Sequence, residues 1–145
     1  MLVMIPTWMV DDEQVVLGGT GERIRLGICA DARLLPDDSS WGVSVGIFES
    51  NVSPDRYRVT GRVLEVRDRG SELIVDAGQC RLVVRLGIGS GRLRSGGVVS
   101  VEATLGVIAA YEWDDFAIPD VRADWIVRSV QSVGDTYELD LSPAA

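Results

Sequence analysis

Few residues in this chain are able to do chemistry, and their spacing suits little of it. The acids cluster locally, as Asp11-Asp12-Glu13, Asp37-Asp38 and Asp114-Asp115. Paired carboxylates can hold Ca²⁺ or Mg²⁺ or exchange protons with a substrate. None of these clusters has EF-hand spacing and none sits beside a nucleophile, so each is expected to be a solvated loop. Two thiols, Cys29 and Cys80, fall short of the roughly four ligands that a zinc site takes. They are expected to be buried and to pack as small hydrophobes, a single bridge between them being the alternative. The run Gly87-Ile88-Gly89-Ser90-Gly91 has the glycine content of a phosphate loop, but nothing helical follows it, so it is read as a flexible connection.

The residues that are missing exclude more. All 14 basic residues are Arg, with no Lys and no His. The codon bias of a GC-rich bacterial genome is the simplest cause. Without Lys there is no Schiff base and no Walker-type phosphate loop. Without His there is no Ser-His or Cys-His pair, no H-E-x-x-H zinc site, and no side chain that titrates near neutrality unperturbed. Catalysis is left with carboxylates, Ser, Tyr, Arg and two Cys. No catalytic residue, metal ligand or cofactor can be assembled from these positions, and the chain is read as a non-enzyme.

Charge is unevenly distributed. The formal net charge is −8. Residues 1–55 hold three Arg against nine acids, residues 56–94 nine Arg against four acids, and residues 95–145 two Arg against nine acids. A basic middle is therefore flanked by acidic ends. At the start of the third segment's last acidic stretch, Tyr111-Glu112-Trp113-Asp114-Asp115-Phe116 sets three aromatics among three acids. Aromatic anchors beside charged neighbours are the composition of a protein-binding hot spot.

The elements that must position these residues are strands. Ile24, Leu26 and Ile28 alternate with Arg23, Arg25 and Gly27. Val43, Val45 and Ile47 alternate with Gly42, Ser44 and Gly46, and Cys80, Leu82, Val84 and Leu86 alternate with Arg81, Val83 and Arg85. The longest run places Val99, Val101, Ala103, Leu105, Val107, Ala109, Tyr111 and Trp113 on one face, with Ser100, Glu102, Thr104 and Glu112 on the other. Period-two alternation marks half-buried antiparallel strands. Turn signals separate the runs, including Pro36 to Ser40, Asp68-Arg69-Gly70-Ser71 and Asp76-Ala77-Gly78-Gln79. Short helical turns are expected near Asp11–Val16 and Pro119–Ala123, and a frayed tail at Ser142–Ala145. The apolar start, Met1 to Val10, carries Pro6 and no basic leader, so no signal peptide is read there. No apolar run reaches the roughly 20 residues of a spanning helix. The expected setting is the cytoplasm.

From Arg56 onward the strand pattern resembles an OB-fold, a five-stranded Greek-key barrel. The expected staves are Arg56–Asp68, Glu72–Ala77, Cys80–Gly87, Gly97–Ala110 and Ala123–Val133. In the first, Tyr57, Val59 and Val63 share one phase, and the apolar phase then slips by one to Leu64 and Val66. Such a slip is what a β-bulge produces. Gly61 lies just before it, where a sharp bend is tolerated. The resemblance covers residues 56–133 and is one of topology. Ile88 to Ser95 is too short and glycine-rich for the usual OB helix, which leaves an SH3-like barrel as the alternative. The polar stretch Glu49 to Asp55 divides residues 1–55, a strand module packing on or extending the barrel, from the barrel and short tail of residues 56–145. The expected fold class is all-β.

Two binding readings follow. The first is a protein–protein module, an adaptor or an immunity-type inhibitor, using Tyr111, Glu112, Trp113, Asp114, Asp115 and Phe116 together with the acidic flanks. The second is single-stranded nucleic acid held by Arg56, Arg58, Arg62, Arg81 and Arg85, which the strand phase turns outward on the first three staves. Pairing of these arginines with Glu65, Glu72 or the acidic flanks would leave only a solvated face. Of the two, the acidic chain favours a protein partner, because its field opposes the approach of phosphate.

Overall fold

A computed structural model describes residues 1–35, 44–50, 55–87 and 93–144. Asp37, Asp38, Trp41 and the turn around them, residues 51–54 of the expected linker, and residues 88–92 of the glycine-rich loop lie outside the described residues. The architecture is all-β, with a closed five-strand barrel and further strands. The chain forms two compact units, Met1–Ile28 with Gly106–Ala145, and Cys29–Leu105.

The second unit holds the barrel. Its staves are β3 (Ile28–Leu34), β5 (Tyr57–Arg67), β6 (Glu72–Asp76), β7 (Arg81–Leu86) and β8 (Val98–Val107). They neighbour one another in the order β5-β6-β7-β3-β8, and β8 closes on β5. The bulge expected in β5 is present: its register against β6 shifts between Val63 and Glu65. The bend is present too. β4 (Gly46–Glu49) pairs with β5 over Tyr57–Thr60, and β6 takes over from Arg62 onward. β8 lines the opposite edge from Tyr57 to Arg62. Both expected hairpin turns form. Asp68–Gly70 is a single 3₁₀ turn that joins β5 to β6, with Gly70 at φ +87°. Gly78, also at φ +87°, turns β6 into β7. The core is the inward phase of these strands, including Val59, Val63, Leu73, Val75, Leu82, Val84 and Val101, none more than 2% exposed.

One stave differs from expectation. Ala123–Val133 is a strand but not part of the barrel, where β3 supplies the fifth stave. Hydrophobic alternation records that a segment is a half-buried strand, not which sheet it joins. Tertiary pairing decided this, through the contact of β3 with β7 and β8.

The first unit is built on that segment. β9 (Ala123–Val133) and β10 (Thr136–Pro143) form a hairpin. β2 (Arg23–Leu26) lines the outer edge of β9, and β1 (Leu2–Pro6) lines β10, with the end of β8 meeting β1 at Met4 and Gly106. Ser142 and Pro143, expected to fray, pair with Ile126 and Trp125. Val3, Ile5, Val127, Leu139 and Leu141 fill the core around Trp125, which is 1% exposed. The helices are short and misplaced relative to expectation. α1 is Thr7–Asp11, α2 is Ala110–Asp115, and Pro119–Ala123 forms none.

Candidate functional site

Tyr111 and Trp113 were expected to continue the long strand, and instead they ride on α2. The reason is local. The strand run ends at Val107, where Ala109 and Ala110 offer good helix propensity and no β-branched side chain. The helix then finds partners for its first N–H groups. Glu112 Oε2 accepts a 2.7 Å hydrogen bond from the Ala109 N–H. Gln14 accepts twice, at its carbonyl from Ala110 N–H (3.1 Å) and at Oε1 from Tyr111 N–H (2.9 Å). Such donors have no intrahelical acceptor and need one. Glu112 is 7% exposed and acts as part of the helix start, not as surface. Gln14, absent from the sequence reading, is the residue that fixes this corner; no spacing signal marks it, because its partners lie about a hundred residues away.

The clasp has a consequence for charge. Asp11, Asp12 and Glu13, all exposed, directly precede Gln14, and Asp114 and Asp115 are exposed on α2. Two acidic clusters far apart in sequence thus belong to one corner of the first unit. Tyr111 on the helix and Phe116 just past its end are 42% and 54% exposed and meet edge to face, with ring centroids 6.2 Å apart. That geometry is favourable for an aromatic pair.

Trp113 points the other way and is half-buried. The Arg122 guanidinium sits 5.0 Å from the centre of its ring. Asp120 holds that guanidinium through Oδ1 to Nε at 2.9 Å and Oδ2 to Nη2 at 3.1 Å. The side-chain and backbone hydrogen bonds from Arg122 draw the Asp120 carboxyl down to about 2. Beside Trp113 opens a cavity of about 500 Å³, lined on its apolar side by Val15, Val16, Ile24, Leu26 and Ile108, with Asp114 and Arg25 at its rim. Val16 is 79% exposed. A Cβ added to Gly27 would lie 2.5 Å from Trp113 Cη2. Gly27→Ala is therefore expected to displace the indole, altering tryptophan emission and costing about 1–2 kcal/mol of stability in urea unfolding.

In the barrel unit the arginines do not form one stripe. Arg62 and Arg81 are exposed and lie in register on either side of Asp76. Arg67 and Arg85 lie on either side of Glu72, at 3.0 and 3.8 Å. Between these two rows lies the pair Ile74 and Val83, 3% and 0% exposed. Arg58 is half-buried and in register with Glu102. Arg56 is exposed and meets Arg85 in a cleft of about 460 Å³, joined there by Arg33 and Glu102. The sequence reading missed Arg33, because it lies before the linker and outside the expected barrel. It also set Ser100 and Glu102 on the face opposite the apolar run, without saying what covers them. Both are buried: Ser100 is hydrogen-bonded to Thr60 at 2.7 Å, and Glu102 accepts from Arg33 Nη2 at 2.6 Å.

Cys29 and Cys80 are buried and no disulfide joins them. Among the described residues no three Cys, Asp or Glu side chains gather as a metal site requires. No described helix is long and apolar enough to cross a membrane. Comparison with protein-family models, curated proteins and solved structures returns no match.

Proposed function

We propose that this chain is a non-catalytic protein-binding module, an adaptor or an immunity-type inhibitor, that docks a partner at the α2 corner of its first unit. The observation that carries the reading is the exposed Tyr111–Phe116 pair. Two large aromatic side chains left in water cost free energy that a partner's surface can recover. Support comes from the acids around them: Asp114 and Asp115 on the helix, and Asp11 to Glu13 beside the Gln14 clasp. An acidic rim around aromatic anchors suits a basic partner, whose approach the chain's negative charge accelerates. The neighbouring cavity gives an apolar side chain of that partner somewhere to go. Trp113 and Glu112 serve this corner from within, as cavity wall and helix start.

The alternative, single-stranded nucleic acid held by Arg56, Arg58, Arg62, Arg81 and Arg85, has weaker support. Asp76 and Glu72 interleave the arginine rows, and interleaved acids cancel the field that tracks a phosphate backbone. An OB-like reading of the barrel is supported by the bent, bulged β5 that serves two neighbours along one edge. A cytoplasmic setting is supported by two thiols left unbridged.

The test is affinity capture with nuclease treatment, followed by titration of whatever partner is recovered. The double variant Tyr111→Ala/Phe116→Ala removes only exposed side chains and is expected to fold normally. It is expected to weaken the recovered complex about 30-fold, which corresponds to roughly 2 kcal/mol. Recovery of nothing, or a partner bound equally by the double variant, would end the reading.

A further inference from the structure

We propose that the cleft on the barrel unit is a binding site for a small phosphorylated compound. Nothing in the α2 reading enters this inference, which concerns the other unit. Three guanidiniums remote in sequence converge there: Arg33 from β3, Arg56 from just before β5, and Arg85 from the end of β7. At about 460 Å³ the cleft falls within the size range of small-molecule sites. Thr104 adds a hydroxyl to the lining.

Glu102 makes this a built site. Its side chain is 5% exposed, and its two oxygens are both used. Oε2 takes Arg33 Nη2 at 2.6 Å and Oε1 takes Ser50 Oγ at 3.3 Å. A buried carboxylate with fixed partners orients Arg33, which is otherwise 66% exposed and free to swing. Arg85 is likewise steadied by Glu72 at 3.8 Å. Arg56 lies near enough to Glu102 for its charge to help lower that carboxyl. A forked guanidinium that is already aimed loses less entropy when it takes a phosphate oxygen.

The occupant is small and not a strand. The positive rows do not continue out of the cleft, because Asp76 stands between Arg62 and Arg81 and Glu72 between Arg67 and Arg85. Asp31 closes one side of the cleft, and the net charge of −8 repels a polyanion. A doubly charged phosphate gains more from converging guanidiniums than a single carboxylate does.

The experiment is calorimetric titration of the full chain at low ionic strength with pyrophosphate, acetate and a short oligothymidylate. Pyrophosphate is expected to bind, acetate at least tenfold more weakly, and the oligonucleotide no better than pyrophosphate. Arg56→Gln is expected to weaken pyrophosphate about tenfold, while Arg94→Gln, an exposed arginine outside the cleft, changes it less than twofold. The proposal is overturned by absence of pyrophosphate binding, by equal loss in Arg56→Gln and Arg94→Gln, or by tighter binding of the oligonucleotide. A failure here leaves the α2 reading standing, since Tyr111→Ala/Phe116→Ala does not touch this cleft.

Discussion

Replacing Gly61 by Ala is expected to destabilise the protein by about 3 kcal/mol, the upper end of the usual cost of overpacking. The missing Cβ has no room. An ideal one would lie 2.4 Å from the Asp76 carbonyl oxygen, 2.6 Å from Val75 Cγ1 and 2.9 Å from the Asp76 carbonyl carbon. Two of those atoms are backbone, so no rotamer change relieves the clash. Gly61 occupies the one position on that edge of β5 where β4 has ended at Thr60 and β6 has not begun at Arg62. The end of β6 closes onto β5 there, and only a residue without a side chain lets it. To admit a methyl group, β6 must move away from β5, and its inward residues Leu73 and Val75, both fully buried, move with it. The thermal midpoint is expected to fall by roughly 9 °C, at about 3 °C per kcal/mol for a chain of this size. Gly87→Ala is the control. Among the described residues nothing lies within 4 Å of its ideal Cβ, and the same substitution there is expected to shift the midpoint by under 2 °C, in line with a surface change of roughly 0.5 kcal/mol or less. A Gly61→Ala melt matching that of Gly87→Ala would show that barrel closure does not depend on this contact.

The same position shows what the sequence made legible. A phase slip and a preceding glycine within one strand sufficed to place the bend and the bulge of β5, because both are encoded in consecutive residues. Hairpins at Asp68–Ser71 and Asp76–Gln79 were legible for the same reason: each turn holds a glycine, Gly70 or Gly78, at positive φ, although Asp68 and Arg69 adopt positive φ in the first as well. Strand membership was not legible. Ala123–Val133 was read as a stave and Ile28–Leu34 was not singled out as a strand, and which of the two enters the barrel depends on pairings between residues far apart in sequence. The start of α2 was not legible either. Tyr111 and Trp113 continue a period of two, yet Gln14, from the other end of the chain, supplies the acceptors that make a helix the better ending.

For the candidate sites the division is similar. Exposure of Tyr111, Asp114, Asp115 and Phe116 agrees with their composition. Glu112 has the same composition and is buried, because a carboxylate three residues after a helix start can turn back onto the backbone. The arginines show the limit of face-by-face reading. Phase correctly turned Arg62 and Arg81 to solvent, but it could not reveal that β6 sets Asp76 and Glu72 within the rows, one between the two arginines of each. Nor could it reveal that Arg56 and Arg85 meet on the side of the barrel that β8 and β3 complete.

Cys80 is expected to react with iodoacetamide at pH 8 roughly a thousandfold more slowly in the native protein than in urea, since the thiolate is the reacting form. Burial is the main cause: the side chain is 7% exposed, and removal from water together with the nearby Asp76 charge pushes the thiol up from 9.0 to about 12. The proton stays on in the folded state at a pH where the unfolded chain has lost it. The group's contribution is therefore complete below pH 9 and is lost as pH rises from about 9 toward 12. Across that window stability is expected to fall by up to about 1.4 kcal/mol per pH unit on account of this thiol alone. Urea unfolding at pH 8 and pH 10.5 measures it. The wild type is expected to lose about 2 kcal/mol more than Cys80→Ala between the two, because every other titrating group is common to both proteins. Equal losses, or rapid native alkylation, would mean that water reaches the thiol. A thiol so suppressed is a poor nucleophile at neutral pH, so the slow reaction would also argue against covalent chemistry at Cys80 and leave the barrel's outward charges as the part of that unit able to meet a ligand.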